Sequence, residues 1–129
     1  MKTPTSIHDG LFKSFLTVPE TAKDFLDVHL PEHIKQICNL DTLQLQAGSF
    51  LEEELVPYYS DVLYSMETES GVGYVYALIE HQSRPDPHMG FRLMRYSIAA
   101  MKQHLEAGNK TLPVVVPLCF YHGLTSPYP

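Results

Sequence analysis

The sequence predicts an α/β domain in which helices flank a mixed β-sheet. Two observations support this class. Segments with apolar residues at helical spacing lie before and after a central β-hairpin, and a continuous apolar run follows the last helix. A helix between the hairpin and a further strand is the crossover connection of an α/β fold. The predicted order of elements is helix, helix, strand, strand, strand, helix, strand.

Two helices are predicted near the N-terminus. Between residues 6 and 16 apolar residues recur at helical spacing, and Asp9 stands at the third helical position, which gives a loose capping box. The second helix is predicted within residues 17–31. Pro19 suits the start of this helix, and Pro31 cannot continue it.

Three strands follow in the sequence. Leu43 and Leu45 alternate with glutamines, the period-two pattern of a half-buried strand. Two segments rich in Tyr, Val and Leu then flank the turn ETESGVG, which predicts a β-hairpin over residues 58–83.

A third helix and a fourth strand complete the prediction. Asp86 can cap a helix whose first residue is Pro87 and which ends before Gly108. Its large apolar residues form one stripe, as in an amphipathic helix: Phe91, Met94, Ile98, Met101 and Leu105. The run LPVVVPLCFYHG is typical of a strand covered on both faces, whereas its prolines, Pro113 and Pro117, favour a weakened ladder or a place at an edge.

The composition is that of one folded domain. The chain has 129 residues, 44% of them hydrophobic and 19% charged, which excludes a disordered chain. No apolar run approaches the ~18 residues of a membrane helix, and the N-terminal residues do not predict a signal peptide. Cys38 and Cys119 lack metal-binding or redox spacing. We expect a cytoplasmic protein, and because the chain ends on TSPYP directly after an apolar run, we expect residues 1–129 to be the N-terminal part of a longer protein.

The charge is distributed unevenly along the chain. The net charge of −6 argues mildly against a nucleic-acid partner. Residues 1–80 carry thirteen acids and four bases, whereas residues 81–110 carry two acids and five bases. The basic cluster is either a solvated helix face or a surface for phosphates.

Two carboxylates fall together if the hairpin turn is centred between Ser70 and Gly71. Asp61 then lies opposite Glu80, and Gln82 points to the same side. Like charges opposite each other destabilise a sheet, and a bound divalent ion would offset this, because Mg²⁺ takes one or two carboxylates plus waters. The alternative is a pair of strand-end acids that face water.

Five motifs in order carry a family resemblance: HDGLFK (8–13), SDVLYS (60–65), LIEHQS (78–83), FRLMRY (91–96) and FYHG (120–123). With these motifs the chain resembles the recombination-promoting nuclease (Rpn) family, formerly called YhgA-like putative transposases, of the PD-(D/E)XK nuclease superfamily. The resemblance covers nearly the whole chain. It implies a restriction-endonuclease-like αβββαβ core and metal-dependent cleavage of DNA phosphodiesters, linked to recombination.

The resemblance also implies the roles of individual residues. Asp61 and Glu80 would be the catalytic acids and the ligands of a divalent ion, with Mg²⁺ expected and Mn²⁺ or Ca²⁺ as alternatives. Gln82 would complete the catalytic set where the superfamily most often has lysine, and an amide supplies no positive charge. Asp9 would be an additional acid from the preceding helix, as an alternative to its capping role.

Several residues keep two interpretations. An acid at position 53 or 54 is the rival to Asp9. Arg92 and Arg95, three apart on one helix, would contact DNA phosphates or form ordinary surface charge. His81 is expected in the core or at an edge, and His122 either ends a strand or joins the site.

A second function is open for the same fold. The chain would then be a non-catalytic DNA-binding or oligomerisation module. Gln82 and the acidic net charge favour this alternative. An exposed stripe of strand tyrosines would support a homodimer.

Overall fold

Four strands form one mixed sheet with helices on both faces. In a computed structural model of the chain, residues 17–81 and 86–121 are described. The strand order is β1-β2-β3-β4, with β1, β2 and β3 antiparallel and β4 parallel to β3. The strands are β1 (Cys38–Gln46), β2 (Tyr59–Thr68), β3 (Gly71–Glu80) and β4 (Val115–Tyr121), and the helices are α1 (Pro19–His29), α2 (Glu32–Lys35) and α3 (Met89–Glu106). This α/β order is compatible with a restriction-endonuclease-like core, as predicted.

Helix α1 forms the core on the first face of the sheet. Pro19 occupies its first turn and Leu30 closes its C-terminus, so both predicted boundaries are confirmed to within a residue or two. Its buried residues Ala22 and Leu26 pack on the even-numbered side chains of β2. The apolar cluster on this face consists of Ala22, Leu26, Leu30, Leu43, Val62, Tyr64, Met66, Val75 and Ile79.

A tight turn joins β2 to β3 and sets their register. Glu69 and Ser70 form the turn, and Gly71 follows with a φ of +109°. This left-handed conformation suits glycine after a tight turn. The Thr68 hydroxyl donates to the Gly71 carbonyl (2.7 Å) and accepts from the Ser70 amide (3.1 Å).

The resulting register differs by two residues from the predicted one. Asp61 lies opposite Leu78, and Tyr59 lies opposite Glu80, so the prediction that Asp61 and Glu80 are directly opposed is wrong. The turn is centred one position earlier than assumed, because Gly71 belongs to β3. Since the shift is an even number of residues, Asp61 and Glu80 still share one face of the hairpin.

Helix α3 packs on that second face, with a different side than its sequence indicates. It begins at Met89, and His88, not Asp86, is its N-cap. Its buried side chains are mostly small or polar: Met89, Tyr96, Ser97, Ala100 and His104. The apolar stripe lies on the outside, and Phe91 is 62% exposed and Met94 63% exposed. The amphipathic pattern therefore identifies the helix but does not mark the side that packs on the sheet.

Strand β4 is an edge strand in the described sheet. It pairs only with β3 there, and Pro117, opposite Tyr76, is exposed. The edge position predicted from the prolines is confirmed, because proline cannot donate to a second neighbouring strand. The expectation of cover on both faces is wrong, since most of its residues are only half buried.

Several predictions fall outside the described residues. These are the helix over residues 6–16 with Asp9, the amide of Gln82, and His122.

Candidate active site

The side chain of Asp61 is buried on the α3 face of the sheet and is held by three donors. Its Oδ1 accepts a hydrogen bond from the Ser49 hydroxyl. Its Oδ2 accepts from the Phe50 amide (2.9 Å) and from the Tyr76 hydroxyl (2.9 Å). Both Ser49 and Phe50 lie on the loop that precedes β2, so the loop and the neighbouring strand β3 together fix the orientation of this carboxylate.

Glu80 ends β3 and is fully buried. It stands diagonally to Asp61 on the same face, and such neighbours lie about 7–8 Å apart between backbones. Its charge contributes to the raised pKa of Cys119, which burial first and Glu80 second bring to about 11. Cys119 therefore stays a protonated thiol at neutral pH, which excludes it as a nucleophile.

Asp86 is the third acid of the site. Asp86 Oδ2 accepts hydrogen bonds from the Tyr59 hydroxyl and from Arg92 Nε, both at 2.6 Å, and Oδ1 accepts from the His88 amide at 2.8 Å. Burial alone would raise the pKa of Asp86, but these donors lower it overall. Asp86 is therefore a buried carboxylate that stays ionised.

The fourth acid, Glu52, lies on the loop before β2. Glu52 accepts a hydrogen bond from the Tyr96 hydroxyl and pairs with the Arg95 guanidinium. The bond from Tyr96 is the main cause of the lowered pKa of Glu52. Burial and this bond raise the pKa of Tyr96 to about 12.

The tyrosines on this face act as hydrogen-bond donors. Burial, with the charge of Asp61, raises the pKa of Tyr76, and burial together with the Asp86 bond raises that of Tyr59. Both hydroxyls therefore keep their protons and donate to carboxylates. The ring of Tyr76 packs between Phe50 and Tyr96, at centroid distances of 5.9 and 5.8 Å.

Asp61 and Glu80 are the two buried carboxylates that the strands themselves place on this face. Over residues 17–81 and 86–121, no group of three or more His, Cys, Asp or Glu residues is arranged to hold one. If a divalent ion bound at this face, Asp61 and Glu80 would be its two protein ligands, a number that suits Mg²⁺ with its retained waters. A pocket of about 70 Å³ adjoins Asp61, lined by Ala47, Gly48, Ser49, Phe50, Leu63 and Gln103.

The two predicted phosphate contacts differ in the structure. Arg92 is mostly covered, bound to Asp86, and lies over the Tyr59 ring at 5.9 Å. Arg95 is about half exposed and carries its charge at the surface beside Glu52. Between the two, Arg95 is the more accessible side chain for a phosphate.

The remaining candidate residues are the acids at positions 53 and 54 and His81. Glu53 and Glu54 are exposed on a short 3-10 turn, whereas Glu52 points into the polar network. His81 is buried on the opposite face, with Nε2 2.8 Å from the Ser60 hydroxyl, in line with a core position.

The strand tyrosines do not form an exposed stripe. Tyr59, Tyr64 and Tyr76 are buried and Tyr74 is half buried, while Tyr58 is about half exposed. Sequence reasoning missed Tyr76, Ser49 and Glu52 as partners of the site. The strand period would have indicated Tyr76, since it shares the face of Glu80, but the two loop residues carry no periodic signal.

The length and polarity of the helices bear on membrane insertion. None of the helices in the described part of the chain is long and apolar enough to cross a membrane.

The chain was compared with known proteins. It is 56% identical over 128 residues to the recombination-promoting nuclease RpnA of Escherichia coli K12, and the matched region covers 99% of this chain and 44% of that protein. It is 52% identical over 128 residues to the recombination-promoting nuclease RpnD of Escherichia coli O157:H7, covering 98% and 49%. It is 57% identical over 127 residues to the inactive recombination-promoting nuclease-like protein RpnE of Escherichia coli K12, covering 98% and 42%.

The chain thus spans less than half the length of these relatives. No solved structure matches it. The family model described as putative transposase, YhgA-like, matches residues 6–129. The resemblance seen in the five motifs is thereby confirmed, and the chain belongs to the YhgA-like family of putative transposases.

Proposed function

We propose that the chain is a metal-dependent DNA endonuclease domain of the PD-(D/E)XK type that acts in recombination. The observation that carries the proposal is the pair of buried carboxylates, Asp61 and Glu80, on one face of a hairpin. Relatives named recombination-promoting nucleases support it. With DNA as the substrate and two free cysteines, the cytoplasm is the compartment that we propose.

The donor set of Asp61 fits a divalent ion. A carboxylate offers about four lone-pair positions, and the described contacts of Asp61 use two on Oδ2 and one on Oδ1. The position left on Oδ1 suits a single bond to a hard cation. Glu80 would supply the second carboxylate, and two negative charges buried on one face are stabilised by a cation between them.

In the proposed mechanism the protein orients and the ion activates. A bound divalent ion would activate water for attack and stabilise the charge on the scissile phosphate. Asp61 is fixed by Ser49, Phe50 and Tyr76, so it is preorganised as a ligand. Gln82, two positions after Glu80, would orient water or contact phosphate. Arg95 would meet the DNA backbone, because guanidinium groups bind phosphates in two-point contacts.

Plasmid nicking in the presence of Mg²⁺, Mn²⁺ or Ca²⁺ tests the proposal. We expect Asp61→Asn and Glu80→Gln each to lower the cleavage rate at least ~100-fold, because each removes one ligand charge from the ion. Asp24→Asn is the matched control, since Asp24 is exposed on α1, on the other face of the sheet. Cleavage by both site variants at the wild-type rate would show that the assignment is wrong.

A non-catalytic module is the second candidate, because a relative of 57% identity is named inactive. Calorimetry separates the two functions. Binding of a divalent ion that is lost in Asp61→Asn supports the nuclease. DNA binding without any ion binding supports the module.

A further inference from the structure

Helix α3 carries its largest apolar side chains on the surface. Phe91, Met94, Ile98 and Leu105 are 62, 63, 56 and 40% exposed, and Met101 is half buried. The inner side of the same helix presents Ala100, Ser97 and polar aromatic groups to the sheet. The inner side is covered by the sheet, whereas the large apolar side chains of the outer side have no cover among the described residues. An apolar stripe on a helix is normally covered by another element, so a second element belongs on the outer side.

The spacing of these residues identifies the kind of element. They follow one another at intervals of three, four, three and four residues, the a/d repeat of a coiled-coil seam. We call this set, Phe91, Met94, Ile98, Met101 and Leu105, the outer seam. It runs for about 21 Å along α3 at 1.5 Å per residue. A straight helix of similar length is the element that fits it.

We propose that the outer seam binds the same seam of a second copy of the chain, with the two α3 helices parallel. In a parallel pair each a residue meets its own copy and each d residue likewise. The positions beside the seam on one side are basic, Arg95 and Lys102, and on the other side they are Gly90, Ser97 and His104. Parallel pairing brings a basic position against an uncharged one or a histidine, whereas antiparallel pairing brings the basic positions of both copies together.

The area of the outer seam is appropriate for such an interface. At roughly 200 Å² for a large apolar side chain, the exposed fractions amount to about 400 Å² on each copy. That lies within the ~300–600 Å² of the largest apolar patch on a typical monomer and is about half of the ~800 Å² that each partner contributes to a stable complex. In the proposed dimer the side chains that flank the seam, such as Arg95 and Lys102, would have to bury the remainder.

Parallel pairing has a consequence for the candidate active site. Arg92 and Asp86, which border the site, lie at the N-terminal end of α3. Two parallel helices therefore place both sites at the same end of the dimer, where both face one nucleic-acid duplex. The inference goes beyond the proposed nuclease function, and self-association is measured without any cleavage assay.

Sedimentation of the 129-residue chain up to about 100 µM tests the pairing. We expect dimers of the 14.6 kDa chain and a loss of affinity of at least ~30-fold in Ile98→Glu, because two unpaired carboxylates would meet in the seam. Val28→Glu on α1 is the matched control, since Val28 is also exposed, at 77%. Met94→Glu serves as a second variant, and circular dichroism verifies the fold of each.

Cross-linking tests the orientation. In chains with Cys38→Ala and Cys119→Ala, Phe91→Cys is expected to form a disulfide with its own copy, because parallel a positions lie within disulfide reach. A disulfide only in mixtures of Phe91→Cys and Leu105→Cys chains would overturn the parallel arrangement. A chain that stays monomeric, or dimers that Ile98→Glu leaves intact, would overturn the proposal. Faster hydrogen exchange of residues 1–16 in monomeric Ile98→Glu would identify that segment as the occupant instead.

Discussion

Tyr76→Phe removes a single hydroxyl from the support of the candidate catalytic acid. Tyr76 is fully buried and its hydroxyl donates to Asp61 Oδ2 at 2.9 Å. A hydrogen bond to a charged acceptor contributes ~1.5–3 kcal/mol, and phenylalanine keeps the ring between Phe50 and Tyr96. We therefore expect the free energy of unfolding to fall by about 2 kcal/mol. Part of this loss is offset, because the variant no longer has to bury a hydroxyl group.

Urea unfolding followed by circular dichroism measures this loss, and Tyr58→Phe is the control. Tyr58 is about half exposed, so the loss of its hydroxyl should change the free energy of unfolding little. A titration with Mn²⁺ then gives the functional consequence: a less firmly oriented Asp61 should bind the ion about tenfold more weakly. If Tyr76→Phe is as stable as the wild type, or loses no more stability than Tyr58→Phe, the hydroxyl does not support Asp61.

Two further substitutions test the surroundings of the site and the hairpin register. Arg92→Met should lower the free energy of unfolding at neutral pH by about 2 kcal/mol, because Asp86 would stay buried without its cation. Since the folded-state pKa of Asp86 is lowered, the stability that its ionised form contributes is present above its unfolded pKa of about 3.9 and is lost as the pH falls through the folded value. The difference between the unfolding free energies of wild type and variant in urea should therefore shrink below about pH 4. A difference that stays constant with pH would argue against the ion pair. Gly71→Ala should lower the free energy of unfolding by ~1–2 kcal/mol, because alanine is strained at a φ of +109°. Gly90→Ala, with open space around its Cα in α3, should instead stabilise the helix slightly. Equal effects of the two changes on the melting temperature would contradict the turn geometry.

The hairpin shows how far sequence patterns reach. Strand parity placed Asp61 and Glu80 on one face, and this survives a register error of two residues because the side-chain period is two. The register itself depended on the conformation of Gly71, which the sequence does not state. The partners of Asp61 on the loop, Ser49 and Phe50, have no periodicity at all, so only the folded chain brings them to the strand.

Helix α3 shows why a correct pattern was assigned to the wrong side. The hydrophobic stripe normally marks the face of a helix that packs on the core. Here acids lie in the sheet and in the loops beside the helix, and the helix carries groups that pair with the loop acids: Tyr96 donates to Glu52, and Arg92 to Asp86. Small residues such as Ala100 fill the space between these pairs. The large apolar side chains are therefore left for the outer side of the helix.

Both faces of the sheet bury apolar side chains, but among the described residues only the α3 face also buries acids. The α1 face buries apolar side chains, which is the main source of folding free energy. The α3 face buries Asp61, Glu80 and Asp86, and buried charges stabilise a fold weakly even when they are paired. A sequence selected for stability alone would fill this face with leucine and valine. The acids on the α3 face are accordingly best explained by chemistry at that face, and the apolar core under α1 by the need to hold the hairpin that carries them.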